Sequence, residues 1–303
     1  MKVLITGATG MIGNKVVKLC HKAGFKVHYL TTSKKKIVSK ENYQGYYWNP
    51  SKGEIDTACF DEVEVIINLV GATIAKRWTP GYRKTIINSR VKSANLLLES
   101  VSTIKHNVRH IVSASAIGIY PSSLQNYYKE TSKERDLGFL GDVVNKWEYA
   151  VEKFNALNVD VCIFRIGLVL SAKGGAYPKI AKPIKYGLGA AFGSGKQWQS
   201  WIHVDDLAAI FLYAVEQELS GIFNAVAPNP VANYKLVQCT AHEMDKKIYL
   251  PNVPRFIMYL LLGKMHRLLF DSQRVSSDKI QEAGYMFTYD NIQPAIANLL
   301  KKI

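Results

Sequence analysis

This 303-residue chain is poor in cysteine and in acid. Its four cysteines, Cys20, Cys59, Cys162 and Cys239, stand far apart and form no Cys-x-x-Cys pair. That excludes a disulfide framework and a zinc-finger spacing, and it suits a reducing, cytoplasmic setting. No apolar run reaches the ~20 residues that span a bilayer. The longest, FIMYLLLGKMHRLLF at 256–270, is interrupted by Lys264 and Arg267. It reads as a helix packed in a C-terminal domain, with a lipid-surface anchor as the alternative; stable membrane insertion is not expected. No basic-then-apolar leader precedes the first strand. Low-complexity tracts and internal repeats are also missing, which argues against disorder.

Acids number 24 against 39 Lys and Arg, a net charge of +15. The lysines are spread along the chain, with short runs at 34–36 and 301–302. No helix-turn-helix, zinc-finger or RNA-binding aromatic motif accompanies them. The expectation is a generally basic surface that draws small anions, with no nucleic-acid partner.

Apolar runs are present in quantity, and they alternate with helical spacing. Strands are predicted at 2–5, 26–30, 63–69, 110–115, 159–166 and 221–226. Helices are predicted at 14–23, 91–102, 140–155 and 203–217. This alternation predicts an α/β fold, a doubly wound parallel Rossmann sheet with helices on both faces. Residues 171–200, rich in Gly, Lys and aromatics, read as loops. The expected division is a Rossmann domain from 1–170 plus about 201–227. About 171–200 plus 228–303 would form a smaller C-terminal substrate-binding domain.

The chain opens MKVLITGATGMIGNKVVKL. Gly7, Gly10 and Gly13 follow a strand and lead into a helix, the context of a dinucleotide grip. Gly7 permits the turn, Gly10 lets backbone approach a pyrophosphate, and Gly13 lets helix pack on strand. Thr9, Met11 and Ile12 complete the grip, with the helix N-terminus facing the phosphates. NAD binders end the second strand on an acid that holds the ribose 2′-OH. Here that end reads Thr31-Thr32-Ser33-Lys34-Lys35-Lys36, with no acid. Thr32, Ser33 and Lys34 therefore favour NADP(H); NAD is the alternative if the lysines are merely solvated.

TGATGMIG, INLVGA at 67–72, SASAIGIY at 113–120 and WIHVDD at 201–206 together resemble the extended short-chain dehydrogenase/reductases. More narrowly, RWTPGYRKTIINSRV (77–91), GSGKQWQSWIHVDDL (193–207), NAVAPNPV (224–231) and SQRV (272–275) are similar to an atypical subgroup, named epimerase-like or SulA-like cell-division-inhibitor oxidoreductases. The resemblance runs from Val3 to about Tyr289. It implies that Asn68, Leu69, Gly71 and Ala72 end a strand beside the cofactor, with Arg90 on the nicotinamide side. It places Ser113 and Ser115 beneath the nicotinamide, and Arg165, Gly167, Leu168 and Val169 along the pocket. The alternatives are strand-end hydroxyls bonded to nearby backbone for the serines and a scaffold ion pair for Arg165.

The family's Tyr-x-x-x-Lys pair, which tunes a tyrosine for acid–base work, is missing from its place. Counting from Ser115, the two positions fall near Leu140 and Val144. Tyr149 and Lys153 have the spacing but come about nine residues late, roughly 13 Å along a helix. Ser115 and Tyr120 remain as candidate catalytic residues, with Asn145, Lys146, Glu148 and His203 as other sources of a proton. For substrate, the glycine-flanked loop 193–201 offers Lys196, Gln197, Trp198 and Trp201. Trp78, with Arg77 and Arg83, and His203 complete the candidate wall. The alternatives are that Trp198 and Trp201 pack between domains and that His203 helps to build a helix start with Asp205 or Asp206 as cap. Such a set suits an anionic or ring-bearing ligand such as a nucleotide sugar. The expectation is an NADP(H)-binding oxidoreductase or epimerase, a monomer or homodimer, on a small-molecule substrate. The alternative is a non-catalytic NADPH-dependent sensor. No metal is expected.

Overall fold

The run Val3-Leu4-Ile5 is fully buried and forms the centre of a nine-stranded sheet. The computed structural model describes residues 1–302. Strand β1 (Lys2–Thr6) pairs in parallel with β2 (Lys26–Thr31) on one side. Beyond β2 lies β3 (Tyr43–Asn49). On the other side β1 pairs with β4 (Val65–Asn68), followed by β5 (His110–Ala116) and β6 (Asp160–Ile166). Two three-residue strands, β7 (Leu168–Leu170) and β8 (Trp201–His203), pair outside this sheet, and β9 (Gly221–Ala225) completes it beside β6. The parallel order is β3-β2-β1-β4-β5-β6-β9, with Ser39–Lys40 and Glu54–Ile55 added antiparallel to β3. The order reverses at β1, so a crevice opens outside the carboxyl ends of β1 and β4.

Helix α1 (Gly13–Lys22) lays Gly13, Val16, Val17 and Cys20 on the sheet, an i, i+3, i+4, i+7 face. Helix α2 (Pro80–Thr103) begins eleven residues before the predicted start at 91. Thr79 caps it by accepting from the Tyr82 N–H, and Pro80 suits the first turn. Helix α3 (Phe139–Glu152) packs beside α2.

Three elements depart from the sequence reading. Strand β3 went unpredicted because its aromatics and Gly45 break the apolar pattern. Gly45 is required there, since a Cβ would stand 2.5 Å from the Tyr29 ring. Residues 171–200 are not all loop: α4 (Tyr177–Lys185) buries Tyr177, Ala181 and Ile184 at helical spacing. After α5 (Val204–Glu216) and α6 (Asn233–Glu243) comes α7 (Arg255–Leu262), which buries none of its residues. The expectation of a packed helix over 256–270 is therefore corrected for α7, while Met265 and Leu268 beyond it pack on Trp78, Ile86 and Val143. Among the described residues no helix is long and apolar enough to cross a membrane.

A second, smaller core gathers Leu170, Tyr177, Ala181, Trp201, Leu236, Cys239, Ile292 and Ile296. It lies apart from the main core under the sheet.

Candidate cofactor and substrate cleft

Each glycine of the opening turn meets a different constraint. Gly7 has φ +71°, and a Cβ on it would stand 3.2 Å from the Leu69 carbonyl group. Gly13 has no room at all, with the Gly7 carbonyl oxygen 2.2 Å from a built Cβ. Gly10 is crowded only by that same oxygen, at 3.1 Å, and is otherwise open. Helix α1 has no side-chain cap and no acid in its first turn. The N–H groups of Asn14, Lys15 and Val16 donate to the Gly10 and Ile12 carbonyls, so it is the positive dipole end that the helix presents to an anion. Met11 in this turn touches Gly174 and Gly175, a loop over the turn that the sequence reading did not single out. At the end of β2, Thr31 Oγ1 accepts from the Ser33 N–H, and Thr32 and Lys34 are exposed. The donor set present here, hydroxyls and a cation around a glycine turn, fits a phosphorylated dinucleotide.

Two polar rows cross the strand ends in register. The first is Thr6–Asn68–Ser113, one residue each from β1, β4 and β5. Thr6 Oγ1 donates to Asn68 Oδ1 at 2.8 Å, and Asn68 Nδ2 donates to Ser113 Oγ at 3.0 Å. Thr6 Oγ1 also accepts from the N–H groups of Leu69 and Val70. All three are completely buried. The polar side-chain atoms of Asn68 and Ser113 are satisfied inside the sheet, so they clamp the strand ends together and leave no side-chain group free for a cofactor. Thr6 was missed; its signal is a threonine closing an apolar strand just before Gly7.

The second row is Ser115–Arg165–Asn224, from β5, β6 and β9. Ser115 Oγ donates to Glu148 Oε1 at 2.6 Å. Arg165 grips the same carboxylate through Nε (2.9 Å) and Nη2 (2.8 Å), and its Nη1 donates to Tyr120 Oη at 3.0 Å. Tyr120 in turn donates to Asn224 Oδ1 at 2.8 Å. The Asn224 N–H reaches Glu130. Burial pushes the Tyr120 phenol above its usual range, and the paired Glu148 carboxylate holds Arg165 charged although burial opposes it. This network corrects the catalytic expectation for Tyr120 and Ser115, and it decides Arg165 in favour of the ion-pair alternative. Tyr120 has no exposed surface, the Ser115 hydroxyl is donated to Glu148, and Arg165 is a scaffold ion-pair residue. Neither hydroxyl faces the crevice as a free acid or base.

Leu140 and Val144 on α3 stand against Gly118, three residues past Ser115. The positions expected for the tyrosine and lysine thus face the strand ends, and they are apolar. Tyr149 is 65% exposed, with Lys153 over its ring on the outer surface.

Arg90 sits where α2 meets the end of β4. Its guanidinium presses on Gly71, donates to the Ala72 and Ile86 carbonyls, and stacks over the Trp147 ring at 4.9 Å. Burial pushes it down to about 10, and no carboxylate among the described residues pairs with it. Trp147 Nε1 is buried and unpartnered. A desolvated cation beside an orphaned donor is an arrangement that an incoming anion would satisfy. Two turns earlier on α2, Arg83 lies over Phe139 at 4.3 Å. There Trp78, Arg83, Phe139, Lys264, His266 and Arg267 line a cavity of about 190 Å³. Lys264 and His266 were not expected in it; their chain distance from Trp78 hides them.

The candidate wall divides. Trp198 is half-buried, with Nε1 donating to the Leu124 carbonyl and Arg274 over its ring, and Lys196 is exposed beside it. Gln197 instead spends its amide on the Phe192 and Leu269 carbonyls, tying the loop down. Trp201 is fully buried in the second core, donating to the Asn229 carbonyl. His203 is also fully buried; its Nδ1 caps α5 by accepting from the Asp205 N–H, and Tyr289 lies on its ring. Burial lowers its pKa to about 4. Gln197, Trp201 and His203 are thus corrected from substrate contacts to structural pins. Gly167 marks a crossing point: a Cβ would stand 2.2 Å from the Ser200 carbonyl oxygen, and Leu168 donates to that same oxygen.

Residues 3–225 match the family model described as the NAD dependent epimerase/dehydratase family, and residues 253–299 match a domain of unknown function, DUF1731. An epimerase family protein of Staphylococcus aureus (strain MRSA252) is 36% identical over 304 residues, 99% of each chain. One from Staphylococcus saprophyticus is 35% identical over 302 residues, 98% of each chain. The crystal structure of human epimerase family protein SDR39U1 with NADPH superposes with a TM-score of 0.89 at 25% identity, covering 100% of both chains. A nucleoside-diphosphate sugar epimerase from Corynebacterium glutamicum gives 0.80 at 27% identity, over 99% of this chain and 58% of that one.

Proposed function

Since the chain belongs to the NAD dependent epimerase/dehydratase family, we propose that it is an NADP(H)-dependent oxidoreductase or epimerase acting on a small anionic substrate. One observation carries the reading: the glycine turn leading into the uncapped α1 N-terminus, and Arg90 with no carboxylate partner, border the crevice where the strand order reverses. The glycine turn would hold the pyrophosphate. Thr32, Ser33 and Lys34 would hold a ribose 2′-phosphate, in keeping with the NADPH of the human relative. Bound nicotinamide would supply or accept hydride. Arg90 would neutralise negative charge beside Gly71, and the Trp78–Phe139 cavity with Arg83 and Lys264 would take a flat or apolar part of the substrate. Trp198 and Lys196 would stand at the rim.

A second reading is favoured by the closed Ser115–Glu148–Arg165–Tyr120 network, which leaves neither expected hydroxyl free. In it the chain binds NADPH and serves as a sensor without turnover.

Calorimetry with NADPH and NADH, followed by absorbance of NADPH against a panel of small carbonyl-bearing carboxylates and phosphates, tests both. Tighter NADPH binding with oxidation of the cofactor supports the enzyme. Tight NADPH binding without oxidation supports the sensor. Tighter NADH binding would overturn the NADP(H) assignment, and Lys34→Glu should weaken NADPH about tenfold while leaving NADH unchanged.

A further inference from the structure

Two long segments of this chain contain no Asp or Glu: 161–204 and 246–270. Together they hold eleven Lys and Arg. They are far apart in sequence and adjacent in the fold. Gly189 lies directly against Ile248, and the Gly193 N–H donates to the Val253 carbonyl at 2.9 Å.

The same region carries the largest group of exposed apolar side chains. Helix α7 buries nothing; Phe256 is 65% exposed, Leu260 70% and Leu261 64%. Tyr249, Leu250 and Tyr259 are exposed in the same acid-free segment, and Tyr186 and Leu188 in the other, next to Gly189. Lys246, Lys247, Arg255 and Lys264 flank the helix and are exposed. His266 pins its base, accepting from Arg255 Nε at 3.1 Å.

We propose that α7 and its basic flanks dock the protein on an anionic membrane surface, with Phe256, Leu260 and Leu261 entering the headgroup region. Charge selects this occupant. In a symmetric dimer the face would meet itself, setting Lys and Arg against Lys and Arg with no acid between them. An anionic bilayer offers negative charge to the lysines and an apolar layer to the helix at once. Eight helical residues are too short to span, so the contact is peripheral and reversible.

The full chain is sedimented with vesicles of phosphatidylcholine alone and of phosphatidylcholine mixed with phosphatidylglycerol. Binding is expected to the mixed vesicles only, weakening at high salt. A protein of charge +15 could adhere through any face, so the deciding variant changes no charge. Phe256→Ser, Leu260→Ser and Leu261→Ser together should lower partition about tenfold or more, with circular dichroism and NADPH binding unchanged. Lys246→Gln, Lys247→Gln and Arg255→Gln should lower it further. Unchanged vesicle binding by the serine variant overturns the proposal. So does a dimer in sedimentation equilibrium that the serine variant dissolves, because a second copy would then own the face.

Discussion

Glu148 and Arg165 are joined by two parallel hydrogen bonds of 2.9 and 2.8 Å, buried from solvent on both sides. The pair fills the space between α3 and the end of β6. It braces helix against strand as a buried strut. Removing one partner leaves the other charged and desolvated. Glu148→Ala should therefore cost about 3–5 kcal/mol, whereas Ser115→Ala, which removes one bond to the same carboxylate, should cost about 1.5–3 kcal/mol. Denaturant unfolding monitored by fluorescence measures both. Equal, small effects would show that the network contributes little.

The glycine turn separates folding from binding. Gly13→Ala places a methyl group 2.2 Å from a backbone oxygen that cannot move without shifting the turn. It should destabilise by about 1–3 kcal/mol or more. Gly10→Val projects toward the open side, so it should keep the melting temperature near that of the parent while abolishing NADPH binding. Thermal melts with and without NADPH distinguish the two.

Tyr149 and Lys153 copy a catalytic spacing on the wrong face. Tyr149 is 65% exposed and covered only by its own lysine. Tyr149→Phe should leave NADPH affinity and any turnover within a fewfold of the parent. A loss of ~100-fold, the lower range for deleting a general acid or base, would show that this tyrosine reaches the crevice.

His203 makes stability depend on pH. Burial holds its folded pKa at about 4, below the ordinary 6.5. The unfolded chain therefore takes the proton first. Stability from this residue is complete above about 6.5 and falls as the pH drops from there toward 4, by up to ~3 kcal/mol. His203→Asn retains an N-cap acceptor for Asp205. Urea midpoints of this variant between pH 7 and 4.5 should fall less steeply than those of the parent.

Much of the fold was legible because parallel strands buried on both faces write themselves as apolar runs. The run at 3–5, the glycines at 7, 10 and 13, and the runs feeding β4, β5 and β6 determine the sheet and its crevice. The count from Ser115 that the resemblance supplied points to Leu140 and Val144, and both side chains lie against Gly118 just past the end of β5. Strand β3 and helix α4 were hidden, because aromatics, glycines and lysines blur both periods while tertiary packing still orders them. The fate of the polar side chains was hidden more deeply. Tyr120, Gln197, Trp201 and His203 carry chemistry suited to a pocket, yet each finds its partner in a segment distant in sequence. The charge behaves in the same way. Spread along the chain, the lysines look like a general basic surface. Only tertiary packing, Gly189 on Ile248 and Gly193 bonded to Val253, brings the two acid-free segments together, because charge density depends on distance in space and not along the chain.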